Sequence, residues 1–86
     1  MNFLIWFTDI SDPSDAKRIQ TQYGDIEDAV HSFLETHWHD YDCPQPPISI
    51  SIVEADEEFA SKGKPRLFDL TTIDYDPVFF VSEVTS

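Results

Sequence analysis

The chain has few of the residues on which small enzymes and metal-binding modules depend. Its 86 residues include two glycines and one cysteine. Two glycines leave no glycine-rich phosphate loop and no Gly-x-Ser-x-Gly nucleophile elbow. The single Cys43 excludes an internal disulfide and a zinc site of the CxxC type, and it suits a reducing compartment. We therefore expect no enzymatic activity and no cofactor.

Basic residues are also scarce. Five Lys and Arg stand against seventeen Asp and Glu, which gives a formal net charge of −12 at pH 7. A small domain needs a net charge of only about 2 to 8 in magnitude for solubility, so this surplus predicts a basic partner. Proteins that bind nucleic acid place aromatic residues among Lys and Arg, whereas Tyr41 and Tyr75 lie in acidic loops. We expect no direct binding to nucleic acid.

Long apolar runs are missing too. The apolar start, residues 3–7, has no basic segment before it and meets Asp9 too soon for a signal peptide or a membrane span. A hydrophobic content of 41% with 14% aromatic residues argues for a folded chain rather than a disordered one. We expect a single domain over residues 1–86, monomeric and cytoplasmic, with no membrane contact.

Helical spacing occurs once in the sequence. Apolar residues at i, i+3, i+4, i+7 and i+8 predict a helix over residues 26–38, with Asp25 as its N-cap. The stripe consists of Ile26, Ala29, Val30, Phe33 and Leu34. A second, single helical turn is predicted over residues 59–62, capped by Asp56 and ended by Gly63.

Alternating apolar residues predict the strands. They cover residues 2–9, 17–23, 48–52, 66–73 and 78–84, with a helical turn as the alternative for residues 17–23. The first strand is apolar on both faces, with Trp6 expected in the core, so it is placed inside the sheet. This order predicts an α+β two-layer sandwich, in which an antiparallel sheet of four to five strands carries one helix on one face.

Potential metal ligands gather after the helix. His37, His39, Asp40, Asp42 and Cys43 are all residue types that bind transition metals. Their spacing fits no named zinc signature, and histidines at a helix C-terminus are favourable beside the negative end of the dipole. We predict no metal site here.

Some acidic residues have an expected structural role in the helix or in turns, and others do not. Asp25, Glu27 and Asp28 suit the start of the helix, and residues expected in turns occupy the loops. The run at residues 54–58 holds more acids than one cap explains, so it is the leading contact candidate. The predicted partner-binding residues are Glu54, Asp56, Glu57, Glu58, Asp12, Asp15, Asp74 and Asp76.

The acid-rich loops at residues 9–15 and 54–58, with the small size and the charge, resemble the DNA-mimic inhibitors of phages and mobile elements. Within that group the chain is most similar to small anti-CRISPR proteins that occupy the DNA-binding channel of a type I Cascade complex. The resemblance implies that carboxylates of this chain meet the Lys and Arg of Cas proteins that would otherwise hold phosphates.

Two other classes share these features. Immunity proteins that neutralise nuclease toxins have similar size and acidity, because a nuclease active site is also a basic groove. An acidic adaptor or phage accessory protein would use the charge for solubility and weak docking. The sequence leaves these alternatives open.

Overall fold

Five antiparallel strands form one sheet in the computed structural model, which describes residues 1–22, 25–74 and 78–84. The strands are β1 (Asn2–Phe7), β2 (Lys17–Gln20), β3 (Ile48–Ala55), β4 (Ser61–Asp74) and β5 (Val78–Glu83). Their order across the sheet is β2-β1-β3-β4-β5, and helix α1 (Ile26–His37) packs on one face. The predicted α+β fold is confirmed, and β1 lies inside the sheet as expected.

The core lies between α1 and the sheet. The helix contributes four buried residues of the predicted stripe, and the rings of Phe33 and Phe7 lie 5.1 Å apart. Alternate residues of the strands complete it because successive side chains of a strand point to opposite faces. These strand residues are Phe3, Ile5, Phe7, Ile19, Ile48, Ile50, Ile52, Phe68, Leu70 and Phe79.

Helix α1 begins and ends for local reasons. Asp25 accepts a hydrogen bond from the Glu27 N–H at 3.0 Å, so the predicted N-cap is confirmed. The α-helix ends at His37, one residue before the predicted end, and a 3₁₀ turn (Trp38–Tyr41) follows. The backbone then leaves helical geometry at Asp42, whose φ is 61°.

The face of the sheet turned away from α1, here called the outer face, has a small apolar cluster of its own. Trp6 is only 7% exposed and lies there with Val53, so it is buried outside the main core. The first half of β4 and Pro13 bound the same groove. The β3–β4 register shifts between Ile52 and Glu54, beside this cluster, and such an irregularity of the ladder increases the local twist of the sheet.

Several predicted boundaries differ from the structure. Strand β1 ends at Phe7 rather than residue 9, because the Phe7 carbonyl accepts hydrogen bonds from the N–H groups of Ile10 and Ser11. Strand β2 ends at Gln20, and Tyr23 lies outside the described residues. Strands β3 and β4 are longer than predicted.

The predicted helical turn over residues 59–62 is wrong. The chain instead makes a β-hairpin between β3 and β4, and β4 begins at Ser61. Gly63 has φ of +82°, a value that suits glycine, but it lies within β4 and ends no helix.

Candidate acidic contact surface

Residues 56–60 form the tip of the β3–β4 hairpin, and Asp56 holds this tip together. Its Oδ1 accepts hydrogen bonds from the N–H groups of Glu58, at 2.9 Å, and Ala60, at 3.0 Å. Its carbonyl accepts from Asn2 Nδ2 at 3.0 Å. Asp56 is therefore a turn-forming residue as well as a surface acid.

The other predicted contact residues of this tip are less constrained. Glu57 and Glu58 are exposed, and their carboxylates have no hydrogen-bond or ion-pair partner among the described residues. Glu54 is the penultimate residue of β3, and its Oε1 is 3.9 Å from Lys62 Nζ. The net negative charge of the tip thus depends mainly on Glu57, Glu58 and Asp56.

An open groove runs beside this tip. Its volume is about 360 Å³, and Glu54, Asp56 and Glu57 line it together with Lys62. The remaining lining residues are Met1, Asn2, Gln20 and Ala55. Three acidic residues against one Lys leave this groove with a negative balance, which favours a cationic side chain over an anionic ligand.

Asp12, Asp15 and Asp74 lie elsewhere. Asp12 and Asp15 are exposed in the loop between β1 and β2, where a 3₁₀ turn (Pro13–Asp15) forms, and Asp74 is the last residue of β4. Asp12 occupies the N-cap position of that turn, yet its side chain caps no N–H. Asp76 is outside the described residues.

The strand register divides the predicted contact residues between two ends of the sheet. Asn2 pairs with Ala55, so the β3–β4 hairpin lies at the Asn2 end of β1. Phe7 pairs with Ile50, and the loop after β1 lies at the opposite end. We call these the hairpin end and the loop end. The structure therefore brings Glu54, Asp56, Glu57 and Glu58 together and separates them from Asp12, Asp15 and Asp74.

The helix adds acids to both ends that strand patterns alone do not reveal. Ile26 lines a groove with Met1 and Glu54, so α1 starts at the hairpin end and brings Asp25, Glu27 and Asp28 there. At the loop end Asp40 is joined to the rest of the fold. Its Oδ2 is 2.8 Å from His37 Nδ1 and 3.9 Å from Lys17 Nζ.

Asp40 is a loop-end acid that sequence reasoning did not select as a contact residue. The hydrogen bond with His37 and the charge of Lys17 lower the pKa of its carboxyl. Its position at the loop end could be predicted only from the direction of α1, because a helix that starts at the hairpin end places the residues after it near Phe7. Tyr41 lies beside it and packs edge-on against Phe7 at 5.0 Å, which gives this aromatic a packing role.

Most basic residues face acids or rings of the same molecule. Arg66 makes a two-point contact with Glu83, at 2.5 and 2.6 Å, and Arg18 lies over the Phe59 ring at 5.3 Å. Lys17 and Lys62 each lie 3.9 Å from a carboxylate. Lys17, Lys62 and Arg66 therefore offset acids of the same molecule.

The side chains after the helix that are of metal-binding types contact one another in pairs. Cys43 Sγ lies 3.1 Å from His39 Nδ1, while His37 contacts Asp40. Within residues 1–22, 25–74 and 78–84, no three His, Cys, Asp or Glu side chains are arranged to hold a metal ion. Over the same residues no helix has the length and apolar character needed to cross a membrane.

Comparison of the chain with protein families, curated proteins and solved structures finds no match.

Proposed function

We propose that this protein is an acidic DNA mimic that binds the basic DNA-accepting surface of another protein. The observation that carries the proposal is the presence of acids without a cationic partner at both ends of the sheet. Glu57 and Glu58 at the hairpin end, and Asp12 at the loop end, have no ion-pair partner in the described part of the chain.

The dimensions support this proposal. The longest extent of the fold is 35 Å, close to the ~34–36 Å of one DNA turn. Spread over that length, the net charge of −12 amounts to one charge per roughly 3 Å, against one per ~1.7 Å for duplex DNA. The linear charge density of the protein is therefore more than half that of the duplex DNA that such a basic surface binds.

We propose a type I Cascade complex in the cytoplasm as the target, on the basis of the resemblance in size, charge and acid-rich loops. The Cas proteins of that complex hold DNA phosphates with Lys and Arg. A Lys or Arg side chain of such a site would enter the groove lined by Glu54, Asp56 and Glu57. Occupation of these cations by carboxylates would exclude target DNA by charge and by volume.

The first experiment measures binding of target duplex to a purified type I Cascade complex with and without this protein. We expect the protein to block DNA binding and duplex to compete with the protein, since both need the same cations. The effect should weaken as the Debye length falls to ~3 Å near 1 M salt. Equally tight binding to the empty and DNA-loaded complexes would place the contact outside the DNA path and contradict the proposal.

A pair of triple variants separates the two ends. Asp56→Asn, Glu57→Gln and Glu58→Gln remove three charges from the hairpin end, and the amide that replaces the Asp56 carboxylate retains an oxygen acceptor for the turn. Asp9→Asn, Asp12→Asn and Asp15→Asn remove three charges from the loop end. Long-range attraction falls equally in both, so a larger loss of inhibition in one variant identifies the end that makes contact.

A further inference from the structure

Strand β5 forms an edge of the described sheet. Among the described residues it pairs only with β4. The Val84 N–H donates to the Leu67 carbonyl, and the Phe80 carbonyl accepts from Thr71 Oγ1, so even-numbered residues direct backbone groups towards β4. Because these directions alternate along a strand, Phe79, Val81 and Glu83 direct their N–H and C=O groups away from β4.

The same strand exposes apolar side chains. Val78 and Phe80 are each 48% exposed on the outer face, Val84 just beyond the strand is 42% exposed, and Leu67 on the neighbouring strand is 41% exposed. Soluble proteins usually protect a sheet edge with Lys, Pro, a bulge or a covering segment. The sequence of β5, VFFVSE, contains neither Lys nor Pro. The register shift of the β4–β5 ladder, between Leu70 and Thr72, places its extra residue on β4 and not on the edge strand.

The opposite edge is built differently. Strand β2 has four residues, KRIQ, and two of them are basic. Lys and Arg at an edge oppose the approach of another basic strand and limit pairing in general. The contrast leaves β5 as the edge suited to accept a strand.

Charge decides which strand fits β5. A second copy of this chain would bring another twelve net negative charges to the interface, so self-pairing is opposed by repulsion. A segment that carries Lys or Arg is attracted by that same charge, and apolar residues at alternate positions would pack beside Val78 and Phe80. We propose that β5 accepts an extended segment of a partner protein, with basic and apolar residues in alternation, as a sixth strand.

This proposal does not depend on whether the partner binds DNA, and its test uses a synthetic probe. The probe is a peptide of about eight alternating Val and Lys residues, long enough to pair with the six residues of β5. We expect its binding to slow hydrogen exchange at the amides of Phe79, Val81 and Glu83, measured by NMR on the full chain. A peptide of alternating Val and Glu should produce no such protection.

Variants with matched charge test the position of binding. Phe80→Lys places a cation on the exposed face of β5 and should weaken peptide binding by at least about tenfold. Ile10→Lys makes the same change at a 51% exposed residue in the β1–β2 loop and should leave binding within about twofold. If Phe80→Lys disturbs folding, Val78→Lys takes its place, and it should weaken peptide binding to a similar extent.

Three outcomes would overturn the proposal. One is peptide binding without protection of the three outward amides, which would indicate attraction by net charge alone. The second is an equal loss of binding in Ile10→Lys and Phe80→Lys. The third is protection of the same amides that rises with protein concentration in the absence of peptide, because a second copy would then occupy β5.

Discussion

Individual carboxylates of this protein differ in what they do, although the sequence presents them as one acidic surplus. Asp25 caps the helix, Asp56 holds the hairpin, and Glu83 is bound to Arg66. Glu57 and Glu58 have none of these roles in the described structure. Acids that make contacts within the fold must lose those contacts to bind a partner. Glu57 and Glu58 have no such contacts to lose, so their binding to a partner has the lower free-energy cost.

The main test of the core is Phe33, which is fully buried between α1 and the sheet. We expect Phe33→Ala to lower the free energy of unfolding by ~3–5 kcal/mol, because the change leaves a cavity in a small core. Glu35→Ala, on the exposed side of the same helix, should have little effect. Urea denaturation of both variants measures the difference, and similar losses would contradict the placement of the apolar stripe.

The Arg66–Glu83 pair predicts a pH dependence. The hydrogen bond from Arg66 lowers the pKa of Glu83 below its ordinary value of 4.5, so the folded chain binds this proton less tightly than the unfolded chain does. The stability from the pair is therefore fully present above pH 4.5 and is lost as the pH falls through the lowered pKa. We expect Arg66→Gln to lower the melting temperature near neutral pH and to match the parent protein in acid.

Lys64→Gln is the control for this experiment, because it removes one positive charge from an exposed residue of the same strand without breaking a described ion pair. Melting curves between about pH 7 and about pH 2.5 would compare the three proteins. An Arg66→Gln deficit that is no larger than that of Lys64→Gln, or that grows in acid, would show that the pair does not stabilise the fold in this way.

At the scale of elements, the sequence predicts best those helices and strands whose formation depends on residues close together in the chain. The helix depends on an apolar stripe and on Asp25, all within fourteen residues, and its predicted bounds differ by one residue from those observed. Asp56 is compatible with a helix cap or with a hairpin turn, since both use its carboxylate to accept backbone N–H groups. Pairing of β3 with β4 decides between them, and that pairing is not a local property.

The hairpin role of Asp56 can be tested directly. Asp56→Ala removes the acceptor for the N–H groups of Glu58 and Ala60, and we expect a loss of about 1 kcal/mol in the free energy of unfolding. Asp56→Asn keeps an oxygen in the same place and should retain most of the stability. Glu57→Ala, one residue along the tip, is the matched exposed control. Equal stability of Asp56→Ala and Glu57→Ala would contradict the turn assignment.

At the scale of the whole molecule, strand order determines what the acids can do together. Seven of the eight contact residues predicted from the sequence lie in the described part of the chain, and only the register of the strands shows that they form two groups at opposite ends of the sheet. The direction of α1 then adds further acids to each group. Such long-range pairing cannot be derived from periodicity, which reports only the face on which a residue lies.

The concentration of charge predicts that salt stabilises the fold. Repulsion within a molecule of net charge −12 opposes compaction, while the described salt bridges between Lys or Arg and Asp or Glu are few and exposed, so screening removes more repulsion than attraction. Raising NaCl from about 0.01 M to about 0.5 M shortens the Debye length from ~30 Å to below ~10 Å and should raise the melting temperature. Each 1 kcal/mol gained would appear as ~4–8 °C in a domain of this size.

The hairpin-end triple variant is the internal control for salt, because it reduces the net charge from −12 to −9 without removing the oxygen acceptor at position 56. Its melting temperature in low salt should exceed that of the parent protein, and its response to NaCl should be smaller. If repulsion did not limit stability, both proteins would respond equally to salt. A melting temperature that falls as NaCl is added would mean that the attraction within ion pairs outweighs the repulsion between acids. The surplus of acids would then not lower the stability of the free protein.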